Sequence, residues 1–159
     1  MRTLATPTTE TIRTTLSSLV DREARVKEAE AFAPGDEPIG LACYRYDDGS
    51  VAAVAICDLA FVARFGACLS LVPAAAADEM LSSGDLTEMA QDNTREVFNV
   101  LAVTLIETDS THFRLGEVSF GSEAPDADVK AAIDGSGNSV SMQIELDGYG
   151  ETRLAIWIA

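Results

Sequence analysis

Apolar residues recur with a helical period at the start of the chain and give way to strand-like stretches further on. One side of a helix carries Ile12, Leu16, Leu19 and Val20, and the stretch APGDEP breaks it, so the spacing predicts a helix over 8–31. IGLACYRY and VAAVAIC are rich in β-prone residues, and the turn sequence DDGS joins them. These two stretches predict a β-hairpin.

The middle of the chain is rich in alanine and leucine and predicts three helices. DLAFVARFGACLSLV begins after a capping Asp58, and PAAAADEML has proline in its first turn. LTEMAQDNTREVFNVLAVTLIE contains neither glycine nor proline and predicts the longest helix. THFRLGEVSFG then predicts a strand, and SEAPDADVKAAIDGSGNS predicts a loop with at most a helical turn.

The last stretch, VSMQIELDGYGETRLAIWIA, predicts a hairpin that turns at DGYG. Its second strand is so apolar that it must be covered, either centrally in the sheet or by a second subunit. Strands and helices occur in clusters, which favours an α+β domain with a mostly antiparallel sheet packed by long helices. We expect one domain over 1–159, with its core in 38–159 after the N-terminal helix.

Composition narrows the classes of function. The formal charge is −15, and lysine occurs only at Lys27 and Lys130, so a nucleic-acid partner is not expected. The three cysteines have no CxxC spacing and are interpreted as buried apolar residues in a reducing compartment. No stretch is typical of a secretion signal or a membrane span, which predicts a cytoplasmic protein without a membrane partner.

A row of polar side chains on the longest predicted helix is the strongest functional signal. Asp92, Glu96 and Asn99 are spaced i, i+4 and i+7, and with Val103 they fall within about 60° of one another around the helix axis. Glu88 and Ile106 border this row, and the opposite side predicts a core face made of Ala90, Val97, Leu101 and Leu105.

The sequence leaves two interpretations of this row open. Charged residues on one helix face are typical of a solvated surface. Asparagine, however, is unfavourable inside a helix, and the row becomes apolar at Val103 and Ile106, which indicates a docking surface.

The spacing Asp-x-x-x-Glu-x-x-Asn on a long helix resembles the signature of the CheC, CheX and FliY group of chemotaxis phosphatases. The matching residues are Asp92, Glu96 and Asn99, and the order of elements from Ile39 to Trp157 is similar, including EVSFG as a strand that closes on glycine. Two-site members repeat the motif on an earlier helix. The only asparagines here are Asn93, Asn99 and Asn138, so the chain resembles the one-site, CheX-like members.

The resemblance implies a fold, a reaction and partners. The reaction is hydrolysis of the aspartyl phosphate on a CheY-like receiver domain, with Asn99 orienting water and Glu96 pairing with a receiver lysine. Asp92, Glu88 and Val103 would contribute to binding. The chain would need no metal or cofactor of its own, because Mg²⁺ would belong to the receiver, and it would form a homodimer by joining sheets.

The chain departs from the pattern of this group at two positions. Val103 stands where members commonly have glycine, and Gly116 stands near the place of a strand proline. A β-branched side chain at 103 could block close approach of a receiver. A catalytically silent CheX-like adaptor, docking a receiver or flagellar-switch partner, is therefore the alternative function, and an unrelated α+β ligand-binding domain with a chance motif is a third.

Overall fold

The computed structural model describes residues 4–32, 39–106, 112–135 and 137–159. Within them the α-helices are α1 Thr9–Val20, α2 Leu59–Leu69, α3 Ala74–Ser83, α4 Glu88–Leu101 and α5 Ala127–Gly135. The strands are β1 Ala24–Glu28, β2 Ile39–Tyr46, β3 Val51–Asp58, β4 Phe113–Gly121, β5 Asn138–Leu146 and β6 Gly150–Ile158. This composition confirms the predicted α+β class.

One antiparallel sheet contains all six strands, in the order β1-β5-β6-β3-β2-β4. The predicted hairpins β2–β3 and β5–β6 are both present. The apolar strand β6 lies between β3 and β5, so the sheet itself covers this strand and a second subunit is not needed for that purpose. The edges of the sheet are β1 and β4.

The predicted helix over 8–31 is wrong beyond its first half. Thr8 caps α1 through a capping box with Thr11, but the helix ends at Val20, and Asp21 adopts a left-handed conformation with φ 51°. The chain then forms β1, which pairs with β5 at the sheet edge. The breaker APGDEP spans residues 33–38 and lies outside the described residues.

The predicted loop after β4 contains α5, a helix of nine residues. Its Val129 is buried in a small core with Leu41 and Ile56, on the sheet face opposite the other helices. The larger core lies between the sheet and helices α1 to α4. In its centre Phe61 of α2 stacks on Phe65 and Phe98, with ring centroids 4.4 Å and 6.2 Å apart.

Candidate functional site

Helix α4 carries the polar row on its outer face. Thr87 begins the helix, since its hydroxyl accepts a hydrogen bond of 3.1 Å from the amide of Ala90. The predicted core residues of this region are all buried: Ala90, Val97, Leu101 and Leu105. The residues of the polar row are exposed: Glu88, Asp92, Glu96 and Asn99. The structure therefore confirms which side of α4 is buried and which is exposed, as the spacing predicts.

Close packing against α2 fixes the first half of α4. A Cβ added at Gly66 would lie 2.7 Å from the Cα of Ala90, so only glycine permits this approach of the two helices. The side-chain amide of Asn93 donates hydrogen bonds to the Gly66 carbonyl at 2.8 Å and to the Ser70 hydroxyl at 2.7 Å. Asn93 is thus a positioning residue. Its role could not be predicted from sequence, because it depends on contacts with α2.

A buried tyrosine holds the second half of α4. The hydroxyl of Tyr44 on β2 donates a 2.6 Å hydrogen bond to the carbonyl of Phe98, the residue before Asn99. The amide of Ala102 donates to the carbonyls of Asn99 and Val100 rather than to that of Phe98, because the chain tightens into a 3-10 helix over Ala102–Leu105. Tyr44 therefore satisfies a carbonyl that the helix itself leaves without its usual donor.

Glu96 and Asn99 have side chains without partners in the described part of the chain. Across the described residues, neither side chain takes part in a hydrogen bond or an ion pair, and both are exposed. They lie three residues apart, which places them on adjacent turns of one helix face. A carboxylate and a carboxamide on a fixed helix, without partners in the described chain, are available to a ligand or another protein.

Asp92 differs from its two neighbours because it has a partner. Its carboxylate accepts a 2.7 Å hydrogen bond from Arg95, and the guanidinium carbon of Arg95 lies 5.2 Å from the ring centroid of Phe120 on β4. Arg95 thereby links the polar row to the edge strand. Sequence spacing identified Asp92 but gave no sign of the Arg95–Phe120 contact.

The apolar end of the row lies beyond the α-helix. Val103 belongs to the 3-10 helix and is 57% exposed, and Ile106 is 46% exposed and forms an isolated antiparallel bridge with Leu4. The predicted angular register of these two residues assumed a continuous α-helix, which ends at Leu101. Both side chains nevertheless remain on the surface, a few residues after Asn99 in the chain.

The described part of the chain offers little support for a cysteine nucleophile, a metal site or a membrane-spanning helix. The three cysteines are buried, and burial raises the pKa of Cys43 to about 12 and that of Cys57 well above its ordinary value, so neither thiol is an activated nucleophile. Among the described residues no three of His, Cys, Asp and Glu are grouped to hold a metal ion. None of the helices in those residues is long and apolar enough to cross a membrane.

Comparison with known proteins gives matches only at the level of structure. No protein-family model matches the chain, and no curated protein matches it in sequence. A CheX–CheY–BeF₃–Mg²⁺ complex from Borrelia burgdorferi matches with TM-score 0.58 and 16% identity, covering 92% of each chain. Thermotoga maritima FliY matches with TM-score 0.56 and 12% identity, covering 97% of this chain and 85% of that one.

A FliM–SpeE complex from H. pylori matches with TM-score 0.61 and 10% identity, covering 94% of this chain and 80% of that one. Identities this low establish a shared fold, while the activity of a chain depends on its own site. The chain therefore has the CheC/CheX/FliY fold, which the Asp-x-x-x-Glu-x-x-Asn spacing and the order of elements predicted.

Proposed function

We propose that this chain is a one-site, CheX-like phosphatase that hydrolyses the aspartyl phosphate of a CheY-like receiver domain. The observation that carries this proposal is the pair Glu96 and Asn99, exposed and without partners in the described chain, on a helix fixed from behind by Gly66 and Tyr44. A catalytic surface for a protein substrate needs such a rigid, outward-facing helix.

Asn99 has the chemistry to orient the attacking water. An aspartyl phosphate is already reactive, so the catalyst mainly needs to place water in line with phosphorus. A carboxamide both accepts and donates hydrogen bonds, and it brings no negative charge toward the phosphoryl group. The Tyr44–Phe98 hydrogen bond fixes the backbone next to Asn99, which limits the positions that its side chain can reach.

Glu96 would bind the receiver through its active-site lysine. A carboxylate free of ion pairs within the described chain can form a charge-assisted hydrogen bond with an incoming ammonium group. Asp92 is already paired with Arg95, so its part would be to shape the edge of the docking surface together with Glu88. The Mg²⁺ ion of the reaction would belong to the receiver, and the structurally similar Borrelia burgdorferi complex contains Mg²⁺ together with CheX and CheY.

The resemblance also supports a cytoplasmic homodimer. Strands β1 and β4 are the edges of the sheet in the described chain. An edge strand of a second copy can therefore pair with either of them. Sedimentation equilibrium tests this part of the proposal, because a purely monomeric mass across the working concentration range would contradict it.

The alternative is a catalytically silent module that docks a receiver or flagellar-switch partner through the same helix. Val103 favours this alternative, because a β-branched, 57% exposed side chain next to the row occupies the position at which the group commonly has glycine. The FliM structures among the structural matches have the same fold.

Decay of a ³²P-labelled receiver domain from the same genome separates the two functions. We expect wild-type protein to accelerate the decay, Asn99→Ala to reduce the acceleration about a hundredfold while binding persists, and Glu96→Ala to weaken binding as well. Glu79→Ala, which removes an exposed carboxylate from α3, is the matched control and should behave as wild type. Binding without acceleration by the wild type would establish the adaptor instead.

A further inference from the structure

A second polar site lies away from the α4 row. A cleft of about 740 Å³ opens between α2, β1, β5 and β6, and no residue of α4 lines it. Its lining includes three basic side chains, Lys27, Arg64 and Arg153. Four carboxylates line the cleft as well, those of Glu28, Glu30, Asp58 and Glu151. Basic residues are thus enriched in the cleft relative to the whole chain, which has 11 basic residues against 26 acidic ones.

The two arginines of this cleft are positioned mainly by backbone carbonyls and an aromatic ring, which do not neutralise the guanidinium charge. Arg64 donates to the carbonyl of Glu151, and its nearest carboxylate, on Asp78, is 3.9 Å away. Arg153 donates to the carbonyl of Glu30 at 3.3 Å, and its guanidinium carbon lies 5.1 Å from the ring centroid of Phe32. Carbonyls and a ring orient a guanidinium while leaving its charge available.

The side chain of Lys27 has neither a hydrogen bond nor an ion pair within the described chain. This contrasts with basic residues elsewhere that contact a carboxylate at hydrogen-bond distance, namely Arg13, Arg25, Arg45, Arg95 and Lys130. Asp58, the cleft's partly buried carboxylate, accepts instead from the amides of Phe61 and Arg153 at 2.9 Å and 3.1 Å. Within the described chain, Lys27 and Arg153 thus form no ion pair, and the ion pair of Arg64 is the 3.9 Å contact with Asp78.

Arg64 also contains an unsatisfied donor. Its Nε is buried and has no hydrogen-bond partner, the one such side-chain atom among the described residues. A Cβ on Gly150 would lie 2.9 Å from the Arg64 guanidinium carbon, so the guanidinium rests on a backbone that lacks a side chain. A buried N–H without a partner is costly, and a bound ligand or water is the usual means of satisfying it.

We propose that this cleft binds a small molecule that carries a single phosphate group, through Lys27, Arg64 and Arg153. Guanidinium groups match the oxygens of phosphate in geometry and charge. Glu28, Glu30 and Glu151 line the same cleft without ion pairs in the described chain, and they would repel an extended polyanion, which restricts the ligand to a compact one. The volume is that of a metabolite site.

Isothermal titration at constant ionic strength tests the proposal, with inorganic phosphate and glucose 6-phosphate as separate probes. We expect saturable binding of at least one probe by wild-type protein, and about tenfold weaker binding by Lys27→Gln and by Arg153→Gln. Tighter binding of the sugar phosphate would indicate a metabolite, and equal binding would indicate free phosphate. The side chain of Lys27 makes no polar contacts in the described chain, so its substitution should leave the fold intact.

Arg114→Gln is the matched control, because Arg114 is exposed on β4, outside the cleft, and makes no ion pair in the described chain. It should bind as wild type does. Absence of saturable binding by the wild type would overturn the proposal, and so would an equal loss of affinity in Arg114→Gln. The phosphatase assay is independent of this result, since Lys27 and Arg153 lie outside the α4 row.

Discussion

The Tyr44 hydroxyl and the Phe98 carbonyl form a buried hydrogen bond of 2.6 Å that joins the sheet to the helix residue before Asn99. The bond lies where α4 changes into a 3-10 helix and the Phe98 carbonyl has lost its helical donor. Burial raises the pKa of the Tyr44 phenol, so the group remains a donor throughout the physiological pH range. The position of the second half of α4, which carries Asn99, thus depends on one core tyrosine.

We expect Tyr44→Phe to lower the free energy of unfolding by about 1–3 kcal/mol, because a buried carbonyl would lose its partner. Receiver dephosphorylation should fall as well, since the backbone beside Asn99 would be less constrained. Urea unfolding and the decay assay measure the two effects. Tyr149→Phe is the control: it removes a hydrogen bond to the Val72 carbonyl, away from α4, and should spare activity. An unchanged unfolding midpoint in Tyr44→Phe would contradict this account.

Gly66→Ala should destabilise the protein although alanine is the better helix former. The gain in helix propensity is about 1 kcal/mol, whereas the added Cβ would lie 2.7 Å and 2.8 Å from the Cα and Cβ of Ala90. Overpacking against a backbone costs about 1–3 kcal/mol or more, so the steric effect should outweigh the gain. Thermal unfolding measures the difference.

Gly135→Ala provides the comparison for Gly66→Ala, because among the described residues no atom outside the adjoining backbone of α5 lies within 4 Å of the added Cβ. This variant should be as stable as the wild type or slightly more so. Equal melting temperatures for the two variants would show that α2 and α4 can move apart without cost.

Val103→Ser tests whether the exposed apolar end of the row contributes to docking. If Val103 packs against a receiver, we expect its replacement by serine to weaken binding about fivefold through lost apolar contact. Leu71→Ser is the control, because Leu71 is an exposed apolar residue, 85% exposed, between α2 and α3. Tighter binding and faster turnover by Val103→Ser would contradict this expectation. They would identify Val103 as an obstruction to the receiver, at the position where the group commonly has glycine.

The ion pairs of Arg45 with Glu117 and Asp128 should make the free energy of unfolding decrease at acid pH. Hydrogen bonds from Arg45 hold the pKa values of Glu117 and Asp128 below their ordinary values. Carboxyls with a lower pKa in the folded state stabilise it at neutral pH, and this contribution is lost as the pH falls below about 4.5. We expect the stability of Arg45→Gln to decline less steeply between about pH 5 and 3 than that of wild type. Parallel stability curves would contradict the assignment.

The exposed face of α4 was more predictable from sequence than the edge of the sheet. A 3.6-residue period across α4 determined which side chains are exposed, because a long helix on one core has only one apolar face. Strand β1 was missed, because Arg25, Lys27 and Glu28 make its sequence polar and its stability comes from pairing with β5. Helix α5 was missed because Val129 is its one buried residue.

Contacts between distant residues were beyond sequence reasoning. The Tyr44–Phe98 bond, the Arg95–Phe120 contact and the Gly66–Ala90 approach each join elements that only the tertiary packing brings together. Spacing within one helix carries no information about them. The same holds for the basic cleft, whose three cations come from three different elements.

The central place of β6 has a consequence for how the protein is made. Ala53 pairs with Ile158 and Cys57 with Leu154, partners roughly a hundred residues apart, so the middle of the sheet stays open until the ribosome has synthesised β6. A nascent chain that already includes α4 would therefore expose the unpaired, apolar edge of β3. The sheet should therefore be completed only after β6 has been synthesised, and chains stopped before Gly150 should depend on chaperones to avoid aggregation.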